Sequence, residues 1–116
     1  MKLTNLLVAT IFFPAIASAA ETIKYDVAHI KQGGADTVFV VMTPNFFNSD
    51  AKLRPNWYKS VQNCVRSNRL AGDVMLVANF NGRFNYYGPN SRATSMQSVN
   101  MKWVRDRVNK QMSCTY

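Results

Sequence analysis

Apart from two cysteines, a single histidine, His29, and six acidic residues are the whole side-chain acid–base inventory of this 116-residue chain below the tyrosine and lysine range. Hydrolysis of a sugar link needs two carboxylates close together. Here Asp36, Asp50 and Asp73 are scattered over a turn, a loop and a strand start. A nucleophile–histidine–acid set would have to run through His29, and nothing in the spacing adds its partners. His, Cys and Asp are not grouped at metal-ligand spacing. No Gly-rich loop joins a strand to a helix in phosphate-binding spacing. The expectation is therefore no catalytic residue, no metal and no cofactor.

Three constellations point to binding instead. In Asn79 to Gly88 (NFNGRFNYYG), strand alternation sets Arg83, Asn85 and Tyr87 on one face and Phe84 and Tyr86 on the other. With Phe84 and Tyr86 turned to the core, an exposed Tyr87 beside Arg83 and Asn85 could stack on a base or sugar and hydrogen-bond to it. Aromatics also pack across strands for purely structural reasons. Trp103, Arg107 and Lys110 fall at i, i+4 and i+7, which places two cations over a Trp on one helix face. The plainer alternative is a solvated face with Asp106 paired to Lys110. Phe46 and Phe47 form an adjacent aromatic pair in an expected loop, a plausible plug for a partner protein.

Residues 1–19 read as an export signal. Met1-Lys2 is a short positive start, Leu3 to Ile16 is mostly apolar, and Ala17-Ser18-Ala19 supplies small residues before cleavage. That run is shorter than the roughly 20 apolar residues of a spanning helix. Residues 20–116 are then expected to form one small α+β domain, periplasmic or secreted. The full chain carries a formal net charge of +8. Such a balance favours anionic lipid, lipopolysaccharide, nucleic acid or acidic proteins as partners, or serves solubility alone. Cys64 and Cys114 are an even pair in an exported chain, so a disulfide is expected.

The elements that must position these residues follow from periodicity. Thr22–Ile30 and Thr37–Thr43 read as strands, the first alternating and the second apolar on both faces. Pro44–Arg54 reads as a loop. Pro55 opens a helix to about Arg69, with Trp57, Val61, Cys64 and Val65 on one face and Gly72 as its left-handed cap. Asp73–Phe80 and Arg83–Tyr87 form a hairpin through Asn81-Gly82. A second helix is expected from Ser95 to Gln111, with Met101, Val104, Val108 and Met112 buried. The order is ββαββα. The expected architecture is a four-stranded antiparallel sheet with both helices on one face and one disulfide.

The leading functional expectation is a small exported, non-enzymatic binding protein of the bacterial envelope with a basic surface for an anionic or protein partner. An inhibitor or immunity-type protein and a small secreted nuclease or hydrolase are the alternatives.

Overall fold

The structure is a computed structural model and describes residues 21–32, 35–88 and 98–116. The expected export signal, the Gly33-Gly34 turn and the expected start of the second helix at Ser95 lie outside the described residues.

The fold is α+β, with one disulfide and a single five-stranded mixed sheet. Strand β1 (Thr22–Gln32) pairs antiparallel with β2 (Ala35–Val41), so that His29 faces Val38. The chain then passes through α1 (Pro44–Asn48) and α2 (Arg54–Ser67) into β3 (Asp73–Phe80). Strand β3 lies parallel to β2, with Val38 beside Val74. Strand β4 (Arg83–Tyr87) returns antiparallel to β3, and Asn81 and Gly82 both adopt the positive φ that the tight turn requires. Helix α3 (Met101–Asp106) leads to β5 (Lys110–Thr115), which pairs with β1. The sheet order is β4-β3-β2-β1-β5.

The expected four-stranded antiparallel sheet is corrected on three counts. A connection that carries a helix across the sheet delivers the next strand parallel, which sets β3 alongside β2. The C-terminal segment is a strand, because Met112 and Cys114 are buried and alternate with exposed Gln111, Ser113 and Thr115. The second helix therefore ends at Asp106, well before Gln111. Finally, the helices occupy opposite faces. Val27, Val38, Val40, Val74 and Leu76 meet α2 through Val61 and Val65. Ala28, Phe39, Met75 and Val77 project the other way and meet Val104 of α3. Central strands apolar on both sides need cover on both sides.

Phe46 explains the first core. Only 1% of it is exposed, and its ring lies 4.9 Å from Phe47, 5.6 Å from Tyr87 and 6.0 Å from Trp57. Burial of one such side chain contributes about 1.5–3 kcal/mol. Pro44 starts the short helix that carries it. The Arg54 guanidinium donates to the carbonyls of Phe47 and Ser49 and holds the helix end down. The expected exposed aromatic loop is thus a buried helix, and neither Phe46 nor Phe47 is available as a plug.

Helix α2 ends on a Schellman motif. The Leu70 amide donates to Val65 and the Arg69 amide to Arg66. Leu70 and Val65 also share the core. The left-handed position is Arg69 (φ 62), not the expected Gly72. Cys64 on α2 is bonded to Cys114 on β5 with a Cα–Cα distance of 5.8 Å. Closing 50 residues stabilises the fold by about 4 kcal/mol on the chain-entropy account.

Candidate functional site

The aromatic–cation pair on α3 is the most developed surface arrangement. Asn100 caps the helix, its side-chain oxygen accepting from the Trp103 amide at 2.8 Å. Fully buried Val104 pins the helix to the sheet. Trp103 is half-buried, its ring edge-on to Phe39 at 5.5 Å. The Arg107 guanidinium lies 4.1 Å from the centre of the Trp103 ring and donates to the Trp103 carbonyl at 3.1 Å. A cation over indole at this distance is attracted by the ring quadrupole. It also stiffens the Trp at the point where the helix meets water.

Two more cations flank it. Lys102 pairs with Asp106 at 2.7 Å and Arg105 with Asp26 at 3.0 Å. Gln111 also donates to Asp26 at 3.4 Å. Both ion pairs are exposed. Such pairs contribute only about 0.2–1 kcal/mol, so an external anion competes readily for either cation. The expected pairing of Asp106 with Lys110 is not made. Lys110 lies on β5, where alternation puts it with Met112 and Cys114 on the α2 side of the sheet. Trp103 and Arg107 are therefore brought together and Lys110 is not, because the helix ends before the third position.

The β4 constellation is rearranged in a different way. Arg83 is exposed. The Asn85 amide donates to the carbonyls of Phe80 and Arg83 and so is spent on its own turn. Tyr87 packs 5.6 Å from both Phe46 and Tyr58. The alternation holds, and Arg83 and Phe84 lie as expected, but Tyr86 and Tyr87 exchange roles. Tyr86 is the aromatic left 40% exposed, and Phe84 packs into the second core. The expected stacking platform at Tyr87 is covered by α1 and α2, because the sheet has a core on each side.

His29 and Asp36 form a pair that spacing alone did not single out. His29 Nε2 lies 2.6 Å from Asp36 Oδ1, with the His29 side chain 13% exposed. The Asn109 side chain clamps the His29 backbone, accepting from its amide and donating to its carbonyl at 3.0 Å each. A carboxylate that orients an imidazole is one part of a hydrolytic site. Among the described residues no hydroxyl or thiol is hydrogen-bonded to the imidazole. Among those residues, too, no group of three His, Cys, Asp or Glu side chains could hold a metal ion.

Trp57 is the residue whose surroundings the sequence concealed. It is expected on the buried face of α2, yet 45% of it is exposed beside Tyr116, itself 42% exposed. The helical stripe put it at the margin of the core, and only the position of β5 decides what lies opposite. No protein-family model, curated protein or solved structure matches this chain.

Proposed function

We propose that this chain is a small exported, non-enzymatic binding protein of the bacterial envelope, and that its basic surface holds a phosphate-rich anionic component there. The observation that carries this reading is the Trp103–Arg107 stack with Lys102 and Arg105 beside it. The aspartates near this face are already engaged by weak exposed pairs, and Arg107 has no carboxylate partner among the described residues. An indole at the rim of a core, ringed by cations, suits an interface that is part apolar and part anionic. A basic chain of this kind gains both affinity and encounter rate toward anionic surfaces.

The test is flotation of the oxidised protein with vesicles. Retention on anionic vesicles that falls steeply with salt, and none on zwitterionic vesicles, is the expected result. Equal retention on both vesicle types would remove the electrostatic basis of the reading.

A second reading, a small hydrolase, draws on the His29–Asp36 pair. It predicts a hydrolytic activity that His29→Gln abolishes. An activity that survives this substitution would eliminate it. The inhibitor reading has to use the Asn81-Gly82 tip, since Phe46 and Phe47 are in the core.

A further inference from the structure

On the face of the sheet opposite to α3, a trough runs along the seam between α2 and β5. Its first part has a volume of about 270 Å³ and lies between Trp57, Tyr25, Tyr116 and Glu21. Its second part, about 350 Å³, continues past Asn63, Ser67 and Asn68. The two parts share Ser60 and Tyr116 and so lie side by side. The second part falls within the range of ligand clefts, about 300–1,000 Å³, and the first lies just below it.

The chemistry of the walls is unlike the rest of the surface. Lysine and arginine are spread over both helical layers, yet none lines either part of the trough. Among the lining side chains the only charged one is Glu21, at the aromatic end. Trp57 packs at a tilt against Phe46, ring centres 6.0 Å apart, and 45% of it stays exposed. Tyr116 is held by reciprocal backbone hydrogen bonds with Glu21, at 3.1 and 2.9 Å. Its hydroxyl meets that of Tyr25 at 3.4 Å. Burial, then the bond to Tyr116, pushes the Tyr25 hydroxyl well above the ordinary tyrosine range, so it stays a neutral donor. Ser60 and Asn63 make no side-chain hydrogen bond among the described residues and face the same depression. The Cys64–Cys114 bond sets the spacing of its two walls.

We infer that this trough binds a neutral oligosaccharide, with one pyranose face stacked on Trp57. Walls with one carboxylate and no lysine or arginine side chain disfavour an anionic ligand, in a chain that is otherwise strongly basic. The apolar C–H face of a sugar ring suits exposed indole and phenol surfaces. Its hydroxyls can donate to the Glu21 carboxylate and exchange hydrogen bonds with the Ser60 hydroxyl and the Asn63 amide. The site is independent of the α3 face, which lies across the sheet.

The experiment is a titration of the oxidised, isotope-labelled protein with maltotetraose, cellotetraose and chitotetraose. It is followed through the two indole N–H resonances and by calorimetry. A saturable shift of the Trp57 resonance with at least one sugar, with Trp103 unmoved and no dependence on salt, is expected. Trp57→Ala should weaken binding by about tenfold. Because Trp57 also supports Phe46, Asn63→Ala at an exposed position provides a second variant that leaves the core intact, and it should weaken binding severalfold. No saturable shift with any of the three sugars at millimolar concentration would overturn the inference. So would binding restricted to anionic glycans, or a shift of Trp57 produced only by an extended peptide.

Discussion

His29 and Asp36 meet at 2.6 Å across the first hairpin, on the side of the sheet that carries α2. Asp36 is backed by the residue that leaves it room. A Cβ on Gly72 would overlap the Asp36 carbonyl, and Gly72 also has φ +117. Gly72→Ala therefore combines overpacking with backbone strain. It should cost about 2–4 kcal/mol in urea unfolding and loosen the His29–Asp36 contact. Unchanged stability would mean that the chain around Gly72 relaxes freely.

The left-handed residue of the α2 cap yields the opposite sign. Arg69 has φ 62, where a side chain is penalised and glycine is not. Arg69 is exposed and its guanidinium makes no contact in the cap. Arg69→Gly should raise stability by up to about 1 kcal/mol, read as a higher urea midpoint at unchanged slope. A fall in midpoint would show that the Arg side chain contributes more than its backbone costs.

Joining α2 to β5 through Cys64 and Cys114 restrains a large loop in the unfolded chain. Replacing both cysteines with serine should lower stability by about 4 kcal/mol. The loss should be smaller if the unfolded chain is already compact. Thermal unfolding of the double variant against the oxidised parent reads this directly.

Alkaline pH should destabilise the fold in a defined window. Burial first, and then the hydroxyl of Tyr116, raises Tyr25 above the ordinary tyrosine value of about 10. Burial, followed by the Asp73 carboxylate, raises Tyr58 as well. Unfolding returns both to the ordinary value. Above pH 10 the unfolded chain then gives up protons that the folded chain keeps. Stability is fully present below that value and is lost as pH rises beyond it. The melting temperature should fall above pH 10, and Tyr25→Phe should fall less steeply than the parent. A parent melting temperature that stays flat through this range would contradict the burial argument.

Much of the sheet was legible along the chain. Alternation and β-branched runs located β1 to β4 to within a few residues, and Asn81-Gly82 marked its turn by a chemistry that suits two positive φ values. The Cys64–Cys114 pair followed from the parity of two cysteines in a chain whose first residues read as an export signal. What escaped was tertiary. Met101, Val104, Val108 and Met112 fit a helical stripe, but Met112 and Cys114 equally fit a period of two, and only the open edge of β1 settles the choice. The same ambiguity moved Lys110 away from Trp103. Phe46 looked exposed because the segment from Pro44 to Arg54, between a strand and a helix, resembles a loop, although Pro44 already supplied a helix start. Tyr87 and Tyr86 exchanged roles because a sheet covered on both faces has two dry sides, between which alternation cannot choose. The aromatic trough was invisible, since Trp57 and Tyr116 are distant in sequence and meet only once β5 lies beside β1.

The most direct test of the proposed function is charge reversal on one face of the sheet against the other. Arg107→Glu and Lys59→Glu change the net charge equally, but Arg107 stacks on Trp103 beside α3 while Lys59 is exposed on α2 across the sheet. Binding to anionic vesicles is measured for each variant over a range of salt. Near a membrane each cation is worth about 1 kcal/mol, so Arg107→Glu should weaken binding by about thirtyfold and flatten its salt dependence, with Lys59→Glu close to the parent. Equal losses in the two variants, or none in Arg107→Glu, would contradict a binding face centred on Trp103 and Arg107.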